Sequence, residues 1–164
     1  DLQIPSYERR TALMNNKALM SGYVYLTQAY RYDDCELVLS QYEKISGRED
    51  FETQMPPFLK LASHYIAAKC QLKAGDMAVA EALTMKAEAL NGNLNAAWGE
   101  WQGVELLSNV SGKEGTFPYT YVLLGDISAK KGDSVKAREY YTIAQAIAPN
   151  DARINATMNT YVEE

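Results

Sequence analysis

Few residues in this chain have the type and spacing that chemistry demands. Cys35 and Cys70 lack the close pairing of a zinc site. They read as two buried free thiols, with a disulfide between them as the open alternative. His64 is the only histidine, which removes His-based metal clusters and leaves little basis for His-centred acid-base catalysis. It reads as a helix residue near any groove the helices form. "SGKEGT", from Ser111 to Thr116, lacks the earlier glycine that a phosphate-binding loop requires. Asp33-Asp34, Glu49-Asp50 and Glu163-Glu164 fall at turns or the terminus, where acidic pairs are ordinarily solvated. No nucleophile has a credible base beside it. The expectation is a protein that is not an enzyme, with no cofactor and no metal.

What remains is to ask which elements would position residues for binding. The chain has 164 residues, 47% apolar and 23% charged, with a net charge of −5, so it suits a single domain over 1–164 with a continuous core. Arg9-Arg10 and Lys130-Lys131 read as solvated helix ends, and no basic stripe is present to neutralise phosphates. Nucleic acid is therefore not an expected partner. Apolar runs such as Tyr121-Val-Leu-Leu124 fall far short of the ~20 residues that span a bilayer, so no membrane span is expected. No charged start leads into an apolar leader. The sequons at Asn109-Val-Ser111 and Asn155-Ala-Thr157 are short enough to arise by chance. Localisation stays open between the cytoplasm and a bacterial envelope or periplasm; an oxidised Cys35–Cys70 pair would argue for the second.

Helix formers dominate and no long apolar-polar alternation occurs, which predicts an all-α chain of about nine helices. The first runs from about Tyr7 to Gly22, with Ser6 as N-cap, and the second from Tyr23 to Tyr32. Cys35 to Ile45 follows, then a polar break at 46–50. Pro56-Pro57 pre-sets a helix reaching about Lys73. "AGD" at 74–76 supplies a C-terminal Gly and a capping Asp for Met77 to Leu90. A helix from about Leu94 to Ser108 carries Trp98 and Trp101, read as packing residues, and 109–117 is a flexible loop. A polar-faced helix from about 151 to 162 would cap the end of the chain. Met14, Met20, Met55, Met77, Met85 and Met158 read as core fillers.

The segment from Pro118 to Pro149 reads as two helices folded back on each other. Tyr121, Leu124, Gly125, Ala137, Tyr141, Ala144 and Pro149 fall at set positions, with Gly132-Asp133 between the helices. These residues resemble the tetratricopeptide repeat (TPR) family, whose unit is 34 residues. Ser128 departs, standing where an aromatic is usual. In the resemblance Gly125 lets the paired helices approach closely, and Tyr141 fills the gap to the neighbouring pair. A second unit spans 61–94 on Gly75-Asp76, with Ala68, Ala80 and Ala87 at small positions and departures at His64, Gln71 and Thr84. A third, over 19–52 on Asp33-Asp34, keeps Tyr42 but places Leu26 and Val38 at small positions. Segment 95–117 breaks the spacing and is expected to interrupt the stacking.

The resemblance implies a short, irregular α-solenoid of antiparallel helix pairs. Such domains usually bind a protein or peptide segment in a concave groove lined by the first helix of each pair. The matching positions here are Tyr23, Thr27 and Tyr30; Ala62, Tyr65, Lys69 and Leu72; and Tyr119, Val122, Asp126 and Ala129. The resemblance thus implies a non-catalytic interaction module, an adaptor, assembly factor or chaperone-like subunit. The alternative is a regulatory or docking module of a larger enzyme. Members that clamp a C-terminal carboxylate use Lys and Asn where this chain has Tyr65, Lys69, Val122 and Asp126, so that mode does not fit.

Overall fold

A computed structural model describes residues 16–92, 94 and 116–162. The described residues form eight helices and no strand. In order they are α1 (Lys17–Arg31), α2 (Cys35–Ser46), α3 (Glu49–Gln54), α4 (Pro57–Lys73), α5 (Met77–Leu90), α6 (Tyr119–Lys130), α7 (Ser134–Ile147) and α8 (Ala152–Val162). The chain is all-α as expected, with eight helices among the described residues against about nine. The expected Ser6 cap, the helix over 94–108 with Trp98 and Trp101, and most of the 109–117 loop lie outside the described residues.

One turn is used three times. Asp34, Asp76 and Asp133 each accept a hydrogen bond from the amide three residues on, at 3.1, 3.1 and 3.0 Å, and so cap α2, α5 and α7. The residue before each cap is left-handed, Asp33 at φ 58°, Gly75 at φ 90° and Gly132 at φ 84°. Aspartate tolerates that conformation better than most side chains, which lets Asp33 stand where the other two turns have glycine. The amides of Asp34, Asp76 and Asp133 reach back to the carbonyls of Ala29, Gln71 and Ser128 at 2.9, 3.0 and 2.9 Å. Each helix end is thereby satisfied in the same way.

Two boundaries differ from expectation for tertiary reasons. Gly22 does not end a helix; it is buried within α1, where an added Cβ would collide with Ile45 of α2. The polar stretch at 46–50 is only partly a break, because Glu49, Asp50 and Glu52 open α3 with acidic charge at its positive end. Asn16 caps α1, accepting from the Leu19 amide at 3.2 Å, and donates to Asp50 at 2.8 Å, tying α1 to α3.

The helices pack as α1 on α2, α4 on α5 and α6 on α7, with α4 against both α1 and α2, α6 against both α4 and α5, and α8 against α7. Leu19, Leu26, Val38, Leu61, Ile66, Ala80, Ala87, Phe117, Ile127 and Ile154 belong to one buried cluster running through all of these. Met55 is buried, whereas Met20 and Met85 are exposed at 37% and 47% and are not core fillers. Tyr141 is buried within its own pair. Its ring lies over Gly125 of its own pair, where a Cβ would come 2.7 Å from Cδ1, and its hydroxyl donates to Asp126 at 2.6 Å.

Two cross-links hold successive pairs together. Cys35 at the start of α2 and Cys70 near the end of α4 are joined as a disulfide with Cα atoms 5.2 Å apart, so the two free thiols expected from sequence are not found. Asn91 donates to the Phe117 carbonyl at 3.1 Å and to Thr120 at 2.6 Å, and accepts from the Phe117 amide at 2.8 Å. Thus α5 is clipped to the start of α6 across the insertion in sequence between them.

Candidate functional site

Because Asn91 holds α6 beside α5, residues from both sides of the insertion meet. Tyr65 and Lys69 of α4 and Tyr119, Val122 and Asp126 of α6 line one cleft of about 210 Å³. Leu123 of α6 and Arg153, Ile154 and Thr157 of α8 complete it. The expected interruption of stacking at 95–117 does not separate these two sets of residues.

The cleft's cations stand over aromatic rings. Lys69 Nζ is 5.4 Å from the Tyr30 ring centroid and 5.6 Å from that of Tyr65; the Arg153 guanidinium is 4.5 Å from the Tyr119 centroid. Such contacts are worth roughly 0.5–2 kcal/mol each and hold long side chains in place. Tyr65 in turn meets Phe117 edge-on at 5.2 Å, and Phe117 meets Tyr119 at 5.6 Å, so the aromatic wall is continuous with the core.

The acids are held from behind. Asp151 is 1% exposed; its Oδ1 accepts from the amides of Arg153 at 2.9 Å and Ile154 at 3.1 Å, and its Oδ2 from the Tyr119 hydroxyl at 2.5 Å. One carboxylate therefore caps α8 and pins it to α6. Burial, reinforced by the hydrogen bond to Asp151, raises the Tyr119 hydroxyl above its usual range. Burial also raises the Asp126 carboxyl, opposed by the Tyr141 hydroxyl and by the charges of Lys69 and Lys130.

Several residues selected by the resemblance expose little surface or stand outside the cleft lining. Ala62 is fully buried, and Thr27 is 9% exposed with its hydroxyl donating to the Val24 carbonyl at 3.0 Å. Tyr23 and Leu72 are partly buried against the core, and burial raises the Tyr23 hydroxyl. Tyr65 and Tyr119, at 2% and 4% exposure, offer only edges. Tyr30 acts beneath Lys69, and Ala129 is half-buried away from the cleft lining. Of the residues expected along three helix pairs, Tyr65, Lys69, Tyr119, Val122 and Asp126 line the cleft on α4, α6 and α8. Arg153 and Thr157 were missed because the last helix read only as a cap. One 34-residue period after Tyr119 falls on Arg153, a signal that was available.

His64 is not near this cleft. It is 6% exposed, packed edge-on to Tyr42 and Phe51 at 5.7 Å each, with Nδ1 2.7 Å from the Tyr42 hydroxyl. Burial, with help from the Lys86 charge, lowers its pKa to about 4. The folded state then resists a proton that the unfolded chain accepts near pH 6.5. Stability should fall as pH drops from about 6.5 to about 4, by at most about 3 kcal/mol, and this component should stop falling below that. Urea unfolding of the wild type against His64→Gln across this range checks it; equal slopes would contradict the assignment.

Among the described residues no group of three or more His, Cys, Asp or Glu is placed to hold a metal, and no helix is long and apolar enough to cross a membrane. A shallower depression of about 460 Å³ lies on the outer face of α7, beside Val135 and Ile143, which are 70% and 42% exposed. All its described lining residues come from α7. The first cleft instead has walls from three helices and fixed charges on aromatic supports. No protein-family model and no curated protein matches the chain.

Proposed function

We propose that this chain is a short, irregular stack of TPR-like helix pairs that holds a segment of another protein in the cleft on α4, α6 and α8. The single observation that carries the reading is the meeting of Tyr65, Lys69, Tyr119, Val122 and Asp126, selected from two separate units of the resemblance, in one cleft. The thrice-used turn at Asp34, Asp76 and Asp133 and the order of helix packing agree with a stack of pairs. A concave site with apolar walls and a few fixed polar groups suits recognition of a segment that brings one or two anchoring side chains. The role is that of an adaptor, assembly factor or chaperone-like subunit, without catalysis. The Cys35–Cys70 bond supports a setting in which thiols become oxidised, such as a bacterial envelope or periplasm.

The test is selection from a random-peptide library, followed by affinity measurement on variants. Thr157 is half-exposed on α8, so Thr157→Phe fills the cleft without entering the core. Selected peptides should lose about tenfold or more in affinity for Thr157→Phe, or ~1.4 kcal/mol, and keep their affinity for Ile143→Glu on α7. A wild-type domain that selects no peptide, or peptides indifferent to Thr157→Phe, would refute the reading.

A further inference from the structure

We infer that the cleft takes an acidic side chain, Asp or Glu, from within the partner segment, its carboxylate meeting Lys69 and Arg153 and its methylenes lying on Val122. The inference rests on the cleft being the binding site and goes further by naming the chemistry of what enters it.

Four charged side chains stand at or behind the cleft. Asp151 is almost wholly buried, and both its oxygens already accept hydrogen bonds, from two amides and from Tyr119. Asp126 is half-buried and takes the Tyr141 hydroxyl from the α7 side. Asp151 thus serves internal donors, and Asp126 serves Tyr141 while feeling the Lys69 charge. The cations sit at the cleft wall over ring faces, Lys69 on Tyr30 and Tyr65, and Arg153 on Tyr119. An ammonium has three donors and a guanidinium five, so each can serve an internal acceptor and still present donors to a ligand. Rings that hold these side chains in place reduce the entropy lost when a carboxylate is bound. Charge-assisted hydrogen bonds from such donors are the strong ones. Both cations line this one cleft, although the chain as a whole carries −5. At about 210 Å³ the cleft has room for a side chain and not for a folded element.

The probe is a library of random dodecapeptides displayed with both ends joined to the carrier, so that any carboxylate selected belongs to a side chain. Selected peptides should share an Asp or Glu beside an apolar residue. Replacing that acid by its amide should weaken binding about tenfold to the wild type, and far less to Lys69→Met with Arg153→Met, whose chains keep their aliphatic stems. Melting of that double variant is measured alongside, and Lys69→Arg in an otherwise wild-type chain should keep the preference for acid. Peptides that bind in a Thr157→Phe-sensitive manner with no preference for acid would overturn this inference and leave the cleft standing. A library that yields no binder would overturn the cleft reading and this inference with it.

Discussion

Removing the Cys35–Cys70 bond should lower stability by about 4 kcal/mol. The two cysteines are 35 residues apart, and closing a loop of that size removes much of the freedom of the unfolded chain, which is the main source of the effect. The bond adds to the packing of α4 on α1 and α2 that joins the first pair of helices to the second. It lies at the edge where Lys73 pairs with Asp33, an exposed ion pair that adds little by itself. For a chain of this length the loss corresponds to a melting temperature about 10 °C lower. Cys70 is 1% exposed, so reduction is carried out in denaturant, followed by refolding with the thiols blocked. The comparison is thermal melting of the oxidised and the reduced, blocked protein, with Cys35→Ser/Cys70→Ser as the variant that treatment leaves unchanged. Oxidised and reduced forms that melt together would contradict a stapling role. Peptide affinity should fall as well, because α1 carries the Tyr30 ring beneath Lys69.

Tyr141→Ala should cost about 3–5 kcal/mol, in the range of large aromatic truncations in a core. Tyr141 is 2% exposed and its ring covers Gly125, which has no side chain with which to fill the space left behind. The cavity would therefore persist, and α6 and α7 would lose the principal contact that sets their separation. Tyr141→Phe separates packing from hydrogen bonding. It keeps the ring but removes the donor to Asp126, and should cost about 1–2 kcal/mol. Urea unfolding of the three proteins gives these differences directly. An alanine variant no worse than the phenylalanine variant would show that the hydroxyl, and not the ring over Gly125, holds the pair.

Local chemistry was legible in the sequence, and long-range packing was legible only where the repeat pattern carried it. The Asp34, Asp76 and Asp133 caps could be read because a cap depends on a few neighbouring residues. The α4 start at Pro57 followed from proline geometry. Gly22 misled because its neighbour in space, Ile45, decides whether a glycine interrupts a helix or admits a close contact. The polar stretch at 46–50 looked like a break because charge at a helix start and charge in a loop have the same composition. The pattern selected Lys69, Val122 and Asp126, which line the cleft, but the burial of Ala62, Tyr65 and Tyr119 depends on the elements packed around them. The joining of the cleft across the insertion depends on Asn91, whose side chain acts 26 residues away on Phe117. No short-range signal carries that information.

The most direct measurement of the central claim is an amide chemical-shift map of the domain with a selected peptide added. The perturbed amides should centre on Lys69, Val122, Asp126 and Thr157, on the three helices that wall the cleft. Perturbations centred instead on Val135, Arg138 and Ile143, on the outer face of α7, would contradict it.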